Sequence, residues 1–231
     1  MSPHITVACL DMAGTTVADD GSVLAAFEAA MTASGIAPGG PDFDAADEIV
    51  RTTMGQSKIE VFRRILGAED RAQHANLAFE EAYARSVREG LVSALPGAAE
   101  TIAALRAAGI KVCLATGFAP GTRNDLLDAL GWRPLIDLAL SPADAGRGRP
   151  WPDLPLTALM RLGGGAVSEL VVAGDTPSDV ESGLRAGAGL VAGVTTGAST
   201  EEELLAAGAP HVLDSITGLV PLLGIGAPGS G

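Results

Sequence analysis

The amino-acid sequence predicts an α/β chain: a doubly wound parallel sheet with a small all-helical domain inserted after its first strand. Three observations predict it. Short apolar runs alternate with stretches of helical spacing along most of the 231 residues, the rhythm of strand–helix–strand crossovers in a parallel sheet. Hydrophobic residues make up 47% of the chain but aromatics only 3%, and an Ala-, Leu- and Val-rich interior suits helices packed on both faces of such a sheet. Between the first strand and Pro96 the rhythm lapses, and helical patterns alone remain.

Strands are expected at residues 5–10, 111–115, 136–140, 170–173, 190–194 and 211–213, each a short apolar run. The intervening helices are expected at 97–108, 122–130, 155–162, 177–186, 200–207 and 216–223. In the inserted region the patterns place helices at 23–34, 44–52, 57–66 and 71–89, with no strand. In the third of these, Ile59, Phe62, Ile65 and Leu66 share one face, away from Arg63 and Arg64. An insertion at this point stands over the carboxyl ends of the strands, so residues 18–94 are read as a cap domain on a core of residues 1–17 and 95–231. Hinges are expected near 16–20 and 93–96.

Composition narrows the partners. A net charge of −13 without a basic stripe repels nucleic acid and anionic lipid. A small anionic substrate remains compatible, provided local cations or a metal receive it. Cys9 and Cys113 lie inside apolar runs and are expected as buried thiols, which places the chain in a reducing, cytoplasmic setting. The N-terminus lacks a basic leader, no apolar stretch is long enough to span a bilayer, and the tail GIGAPGSG is expected to fray. His4, His74 and His211 are scattered and expected at the surface, Trp151 adjoins Arg149 and can line the site mouth, with core packing the plainer expectation, and Glu201–Glu203 reads as a helix N-terminus.

Four sites follow predicted strands, where a parallel sheet presents its ligand-binding edge. In VACLDMAGTTV, Asp11 ends the strand, and a metal-bound carboxylate is a competent nucleophile toward phosphorus; the plainer alternative is an Asp capping a turn. In VCLATGF, the Thr116 hydroxyl and the Gly117 amide form a donor pair for a phosphoryl oxygen, unless Thr116 only caps a helix. In GRGRPWP, Arg149 can neutralise a transferring anion, while Arg147 also reads as part of a solvated loop. In LVVAGDTPSDVESG, Asp175 and Asp179 can hold Mg²⁺, which prefers oxygen ligands, or can merely form an acidic helix start.

In this order the four sites resemble the motifs of the haloacid dehalogenase superfamily, over nearly the whole chain. In detail they are similar to its phosphonoacetaldehyde hydrolase (phosphonatase) group: Ala13 where most members carry a second Asp, Arg149 within Gly148–Arg149–Pro150, and a Met-Gly-x-x-Lys element, Met54 to Lys58, in the cap. The resemblance implies Asp11 as nucleophile and metal ligand, the Ala13 carbonyl, Asp175 and Asp179 around Mg²⁺, and Thr116 and Arg149 on the phosphoryl group. It implies Thr15, Met54, Gly55, Gly117 and Phe118 against the substrate, and Lys58 forming a Schiff base with a substrate aldehyde. Ala13 can neither protonate an oxygen leaving group nor activate water, which suits cleavage of a P–C bond. Lys58 must be partly neutral for that role, which burial or a nearby cation would favour; it can instead bind a substrate anion or sit in solvent. Two positions depart from the group, Val61 for a histidine and Phe118 for a hydroxyl-bearing aromatic. The rivals are a phosphate-monoester phosphatase and a non-catalytic metabolite binder. A homodimer formed through the cap is implied by the resemblance only.

Overall fold

The computed structural model describes residues 4–18 and 20–226; Asp19 in the first hinge and residues 227–231 of the Gly-rich tail lie outside the described residues. The chain opens with β1 (Val7–Asp11) and a two-residue strand β2 (Val17–Ala18). Four helices follow, α1 (Ser22–Ala33), α2 (Pro41–Thr52), α3 (Lys58–Leu66) and α4 (Glu69–Arg88), and then β3 (Ser93–Ala94). Alternation resumes with α5 (Ala98–Ala107), β4 (Lys111–Ala115), α6 (Pro120–Ala129), β5 (Leu138–Leu140), α7 (Pro142–Ala145), α8 (Asp153–Arg161) and β6 (Leu170–Gly174). It ends with α9 (Pro177–Ala186), β7 (Leu190–Val194), α10 (Glu201–Ala206), β8 (His211–Leu213) and α11 (Leu219–Leu222).

The six long strands form one parallel sheet in the order β5-β4-β1-β6-β7-β8. Helices cover both faces, and β1 shows why its sequence is uniformly apolar. Ala8 and Leu10 belong to the core cluster on one face, Val7 and Cys9 to the cluster on the other, because successive side chains of a strand point to opposite sides. Cys9 and Cys113 face each other in register on β1 and β4 as buried free thiols. The order of connections reverses at β1, with β4 on one side and β6 on the other, which makes the edge beyond Asp11 the switch point where ligands bind in such sheets.

Two features correct the expected elements. β2 and β3 pair antiparallel, Val17 with Ala94 and Ala18 with Ser93, so the two chain crossings into the insertion are tied as a ribbon. Strands of two residues are too short for an alternating pattern to reveal them. Residues 136–137 also fall outside β5, since a tight turn occupies Arg133–Leu135 and delays the strand to Leu138.

The insertion has its own centre. Phe27 of α1, Phe62 of α3 and Phe79 of α4 meet with ring centroids 4.8–6.0 Å apart. Phe118, from the loop after β4, reaches into the same group, 4.5 Å from the ring of Tyr83. The chain has five phenylalanines and one tyrosine, so this aromatic-poor sequence concentrates its rings at the boundary between insertion and sheet. Such pairs add about 0.5–1.5 kcal/mol each beyond buried area. The buried face of α3 is Lys58, Val61, Phe62 and Leu66, with Ile59 and Ile65 only partly covered, so the expected stripe is rotated to bring Lys58 inward. No described helix is long and apolar enough to cross a membrane.

Candidate active site

Register delivers the acidic groups. Asp11 lies opposite Ala115 of β4, and Leu10 opposite Ala173 of β6, so Asp11, Thr116 and Asp175 leave the sheet along one edge. Asp179 follows on the first turn of α9. Asp11, Asp175 and Asp179 are all buried, and each offers a carboxylate oxygen within 4.8 Å of the others.

Each carboxylate is held by a distinct set of donors. Asp175 accepts the Thr15 hydroxyl at 3.2 Å and the Ala198 amide at 2.7 Å. Asp179 divides its oxygens. One completes a capping box with Thr176, accepting the Thr176 hydroxyl at 2.5 Å and its amide at 3.2 Å, while the other meets Arg149. The helix-start and site readings of Asp179 are therefore both realised, by different atoms of one side chain. Behind them the turn after β1 is tight. Gly14 sits at φ 88°, and a Cβ there would lie 2.4 Å from an Asp175 oxygen, so neither the conformation nor the space admits a side chain.

Arg149 is the buried counter-charge. Its Nη1 donates to Asp11 at 2.5 Å and also contacts Asp179. Burial works against its charge, but the Asp11 and Asp179 carboxylates outweigh it and raise its pKa, so it stays a cation. Its Nε and Nη2 are buried with no hydrogen-bond partner among the described residues. Unmade buried donors are costly, and two on one guanidinium match the oxygens of a bound anion.

The carboxylates feel each other strongly. Burial foremost, then the charge of Asp179, lifts Asp11 to about 6 against the pull of Arg149. Burial, then Asp11 and Asp179, push Asp175 well above the usual carboxylate range despite its two donors. One guanidinium does not balance three carboxylates, and an all-oxygen set of this kind fits a hard divalent cation.

The insertion closes over this edge. The Lys58 amide donates to the Gly117 carbonyl at 3.3 Å, and the Gln56 side chain donates to the Ser178 hydroxyl at 3.4 Å. A Cβ on Gly117 would lie 2.3 Å from the Gln56 carbonyl oxygen, so the two backbones are as near as glycine allows. Phe118's amide donates to the Thr116 hydroxyl at 3.2 Å, which shapes the loop. Lys58 Nζ stands 5.4 Å from the ring centroids of Phe27 and Phe118 and 5.9 Å from that of Phe79.

A cavity of about 400 Å³ lies between these walls, bordered by Asp11, Ala13, Met54, Gly55, Lys58, Thr116, Gly117, Phe118, Arg149 and Asp175. Ten of the twelve residues singled out in the sequence thus face one space. Thr15 is not among them: its side chain is fully buried and its hydroxyl donates to Asp175. Asp179 sits behind Arg149 instead of on the wall. Sequence reasoning missed Thr176, Thr196 and Ala198, which also border the cavity. Thr176 had a legible signal as the cap before Pro177, whereas Thr196 and Ala198 reach the site only because β7 lies beside β6. Arg147 pairs with Asp153 in solvent, and Trp151, expected in the core, is 47% exposed and stacked 4.3 Å from the Arg147 guanidinium. The flat indole is covered by guanidinium groups rather than by core side chains. The three histidines are exposed as expected.

A parallel sheet that brings three carboxylates, a guanidinium and a buried hydroxyl to one edge can hold a divalent cation and offer charge to a small anion. The chain is a member of the haloacid dehalogenase-like hydrolases, whose family profile matches residues 5–187. Phosphonoacetaldehyde hydrolase of Bacillus cereus is 34% identical over 123 residues, 48% of this chain and 44% of that protein. Phosphoglycolate phosphatase of Rhodospirillum rubrum is 34% identical over 164 residues, covering 70% of this chain and 66% of that one. The crystal structure of a phosphonoacetaldehyde hydrolase-like protein from Oleispira antarctica superposes with a TM-score of 0.82 at 26% identity, covering 96% and 92% of the two chains.

Proposed function

We propose that the enzyme cleaves the P–C bond of phosphonoacetaldehyde or a related small phosphonate with an adjacent carbonyl, residues 18–94 acting as a cap over a core of residues 1–17 and 95–231. The observation that carries this reading is a buried lysine amine, Lys58, sharing a cavity with Asp11 where position 13 offers only a methyl group and a carbonyl. A phosphate-ester hydrolase needs an acid for its leaving oxygen, and Ala13 is not one.

On this reading the unpartnered Nε and Nη2 of Arg149, with the Thr116 hydroxyl and the Gly117 amide, receive the phosphonate oxygens. Lys58, deprotonated, adds to the substrate aldehyde, and with uptake of one proton from solvent the carbinolamine expels water, giving an iminium. The Asp11 carboxylate attacks phosphorus, the P–C bond breaks, and its electron pair moves into the iminium to leave an enamine on Lys58. Water then hydrolyses the aspartyl-phosphate to inorganic phosphate, and protonation of the enamine carbon followed by hydrolysis releases the aldehyde with C–H in place of C–P and frees the amine. Mg²⁺, held by Asp11, the Ala13 carbonyl, Asp175 and waters oriented by Asp179, would supply charge neutralisation at the phosphoryl oxygens. The aromatic rings around Lys58 exclude water from the imine. Two free buried thiols suit a reducing compartment, and we place the protein in the cytoplasm.

A phosphatase acting on a small phosphate monoester is the second reading, favoured by Val61 and Phe118, which bring no polar group near the amine, and by the relative from Rhodospirillum rubrum. Here Lys58 would bind a substrate anion. A phosphate-release screen with Mg²⁺, containing phosphonoacetaldehyde and common phosphomonoesters, separates the two when joined to borohydride trapping. Turnover of the phosphonate with a substrate-dependent adduct at Lys58 supports P–C cleavage. Vigorous turnover of esters alone, without an adduct, overturns it.

A further inference from the structure

Helix α6 begins immediately after the Thr116–Phe118 loop and lacks a cap of its own. Its N-cap is Ala119, no side chain from its own segment bonds its first turn, and no acidic residue lies there. Exposed amides at a helix start need an acceptor. The acceptor comes from the insertion. Glu80 of α4 takes the Ala119 amide on one oxygen at 3.2 Å and the Thr122 hydroxyl on the other.

We propose that Glu80 is a positioning residue that locks the closed cap onto the phosphoryl-binding loop by capping α6 from across the domain boundary. Its neighbours on α4 serve the same junction. Phe79 and Tyr83, one before and three after Glu80, pack against Phe118, with centroids 6.0 and 4.5 Å away. Glu80 and Lys58 border a common cleft with Phe118 and Ala119. Burial raises the pKa of the Glu80 carboxyl, and the Thr122 hydroxyl, the Ala119 amide and the charge of Lys58 draw it back. Ala119 and Thr122 belong to the core and meet Glu80 only when the cap is shut, whereas Lys58 travels with Glu80 on the cap. The carboxylate therefore discriminates closed from open, which is what a ligand-independent latch requires.

This inference rests on reading the cavity beneath the cap as the phosphoryl site, and its test has two arms so that the two ideas can fail separately. Hydrogen exchange on the full chain compares wild type with Glu80→Ala and Glu80→Gln. Exchange across residues 116–123 is expected to rise at least tenfold in Glu80→Ala, with β1 and β6 unchanged and Glu80→Gln intermediate, since Gln keeps one acceptor oxygen. In the second arm, with any compound that wild type hydrolyses, KM should rise about tenfold while kcat stays within twofold, because only the population competent to bind falls. A merely structural weakening would lower active enzyme and kcat and leave KM alone. Adding Thr122→Ala to Glu80→Ala should raise KM no further, as both remove one contact. Unchanged exchange at 116–123, or an unmoved KM, overturns the proposal. A wild type that hydrolyses nothing overturns the functional reading, while the exchange arm still decides the latch.

Discussion

Gly117→Ala is the sharpest test of a closed cap as the reactive arrangement. The added Cβ would lie 2.3 Å from the Gln56 carbonyl oxygen, 3.0 Å from its carbon and 3.2 Å from the Gly55 carbonyl oxygen, all backbone atoms. Non-bonded atoms settle near 3.5 Å, so the cap loop must retreat by about 1 Å. Overpacking of this kind costs about 1–3 kcal/mol. Only the closed arrangement bears it, because Gly117 does not occupy a conformation barred to alanine. The expected loss in kcat/KM is therefore about 5- to 150-fold, with a fall in melting temperature of at most about 2–4 °C per kcal/mol of clash. Gly121→Ala is the matched control: nothing lies within 4 Å of its Cβ position, and alanine in α6 should leave activity alone or stabilise slightly. Phosphate release and thermal unfolding of both variants provide the assay. If Gly117→Ala stays within twofold of wild type, the approach of the 55–57 loop to the sheet edge is not part of catalysis.

Two further outcomes follow from the charges. Asp11 has a folded pKa raised to about 6 from an ordinary 3.8, so its contribution to metal-free stability is complete below the ordinary value and disappears as pH rises through about 6. Mg²⁺ competes with those protons, so its thermal-shift gain over EDTA should be large at pH 7.5 and small at pH 5; equal gains at both would sink proton–metal competition at this cluster. Arg149→Met strips the buried carboxylates of their cation. In EDTA at neutral pH it should destabilise by ~3–5 kcal/mol, with part recovered by Mg²⁺, and it should abolish inorganic phosphate binding measured by calorimetry; wild-type stability in EDTA would refute the counter-charge role.

The legible part of the molecule was the part written contiguously. Asp11, Thr116 and Asp175 each end a short apolar run, and a buried parallel strand followed at once by a polar residue marks the ligand edge without knowledge of any neighbour. Lys58 was legible only through motif resemblance, and Arg149 only as a cation suited to an anion, because nothing local says that a helix lysine or a loop arginine will be buried. Thr15 shows the limit: nothing near it in the chain says that its hydroxyl donates to a carboxylate 160 residues away. Trp151 erred for the related reason that a large apolar ring can be covered by neighbouring guanidinium groups as well as by a core.

Sequence by itself determined the strand–helix alternation and the order in which polar residues follow the strands, since each depends on side-chain periodicity within a few residues. Tertiary structure alone decided that Lys58 lies among rings from α1, α4 and the loop after β4, that Glu80 bonds the start of a core helix, and that two Arg149 donors are buried without a partner among the described residues. These facts join segments separated by tens of residues. Which side chains meet across such distances is set by strand order and by the docking of one layer on another, and neither leaves a periodic trace in the chain.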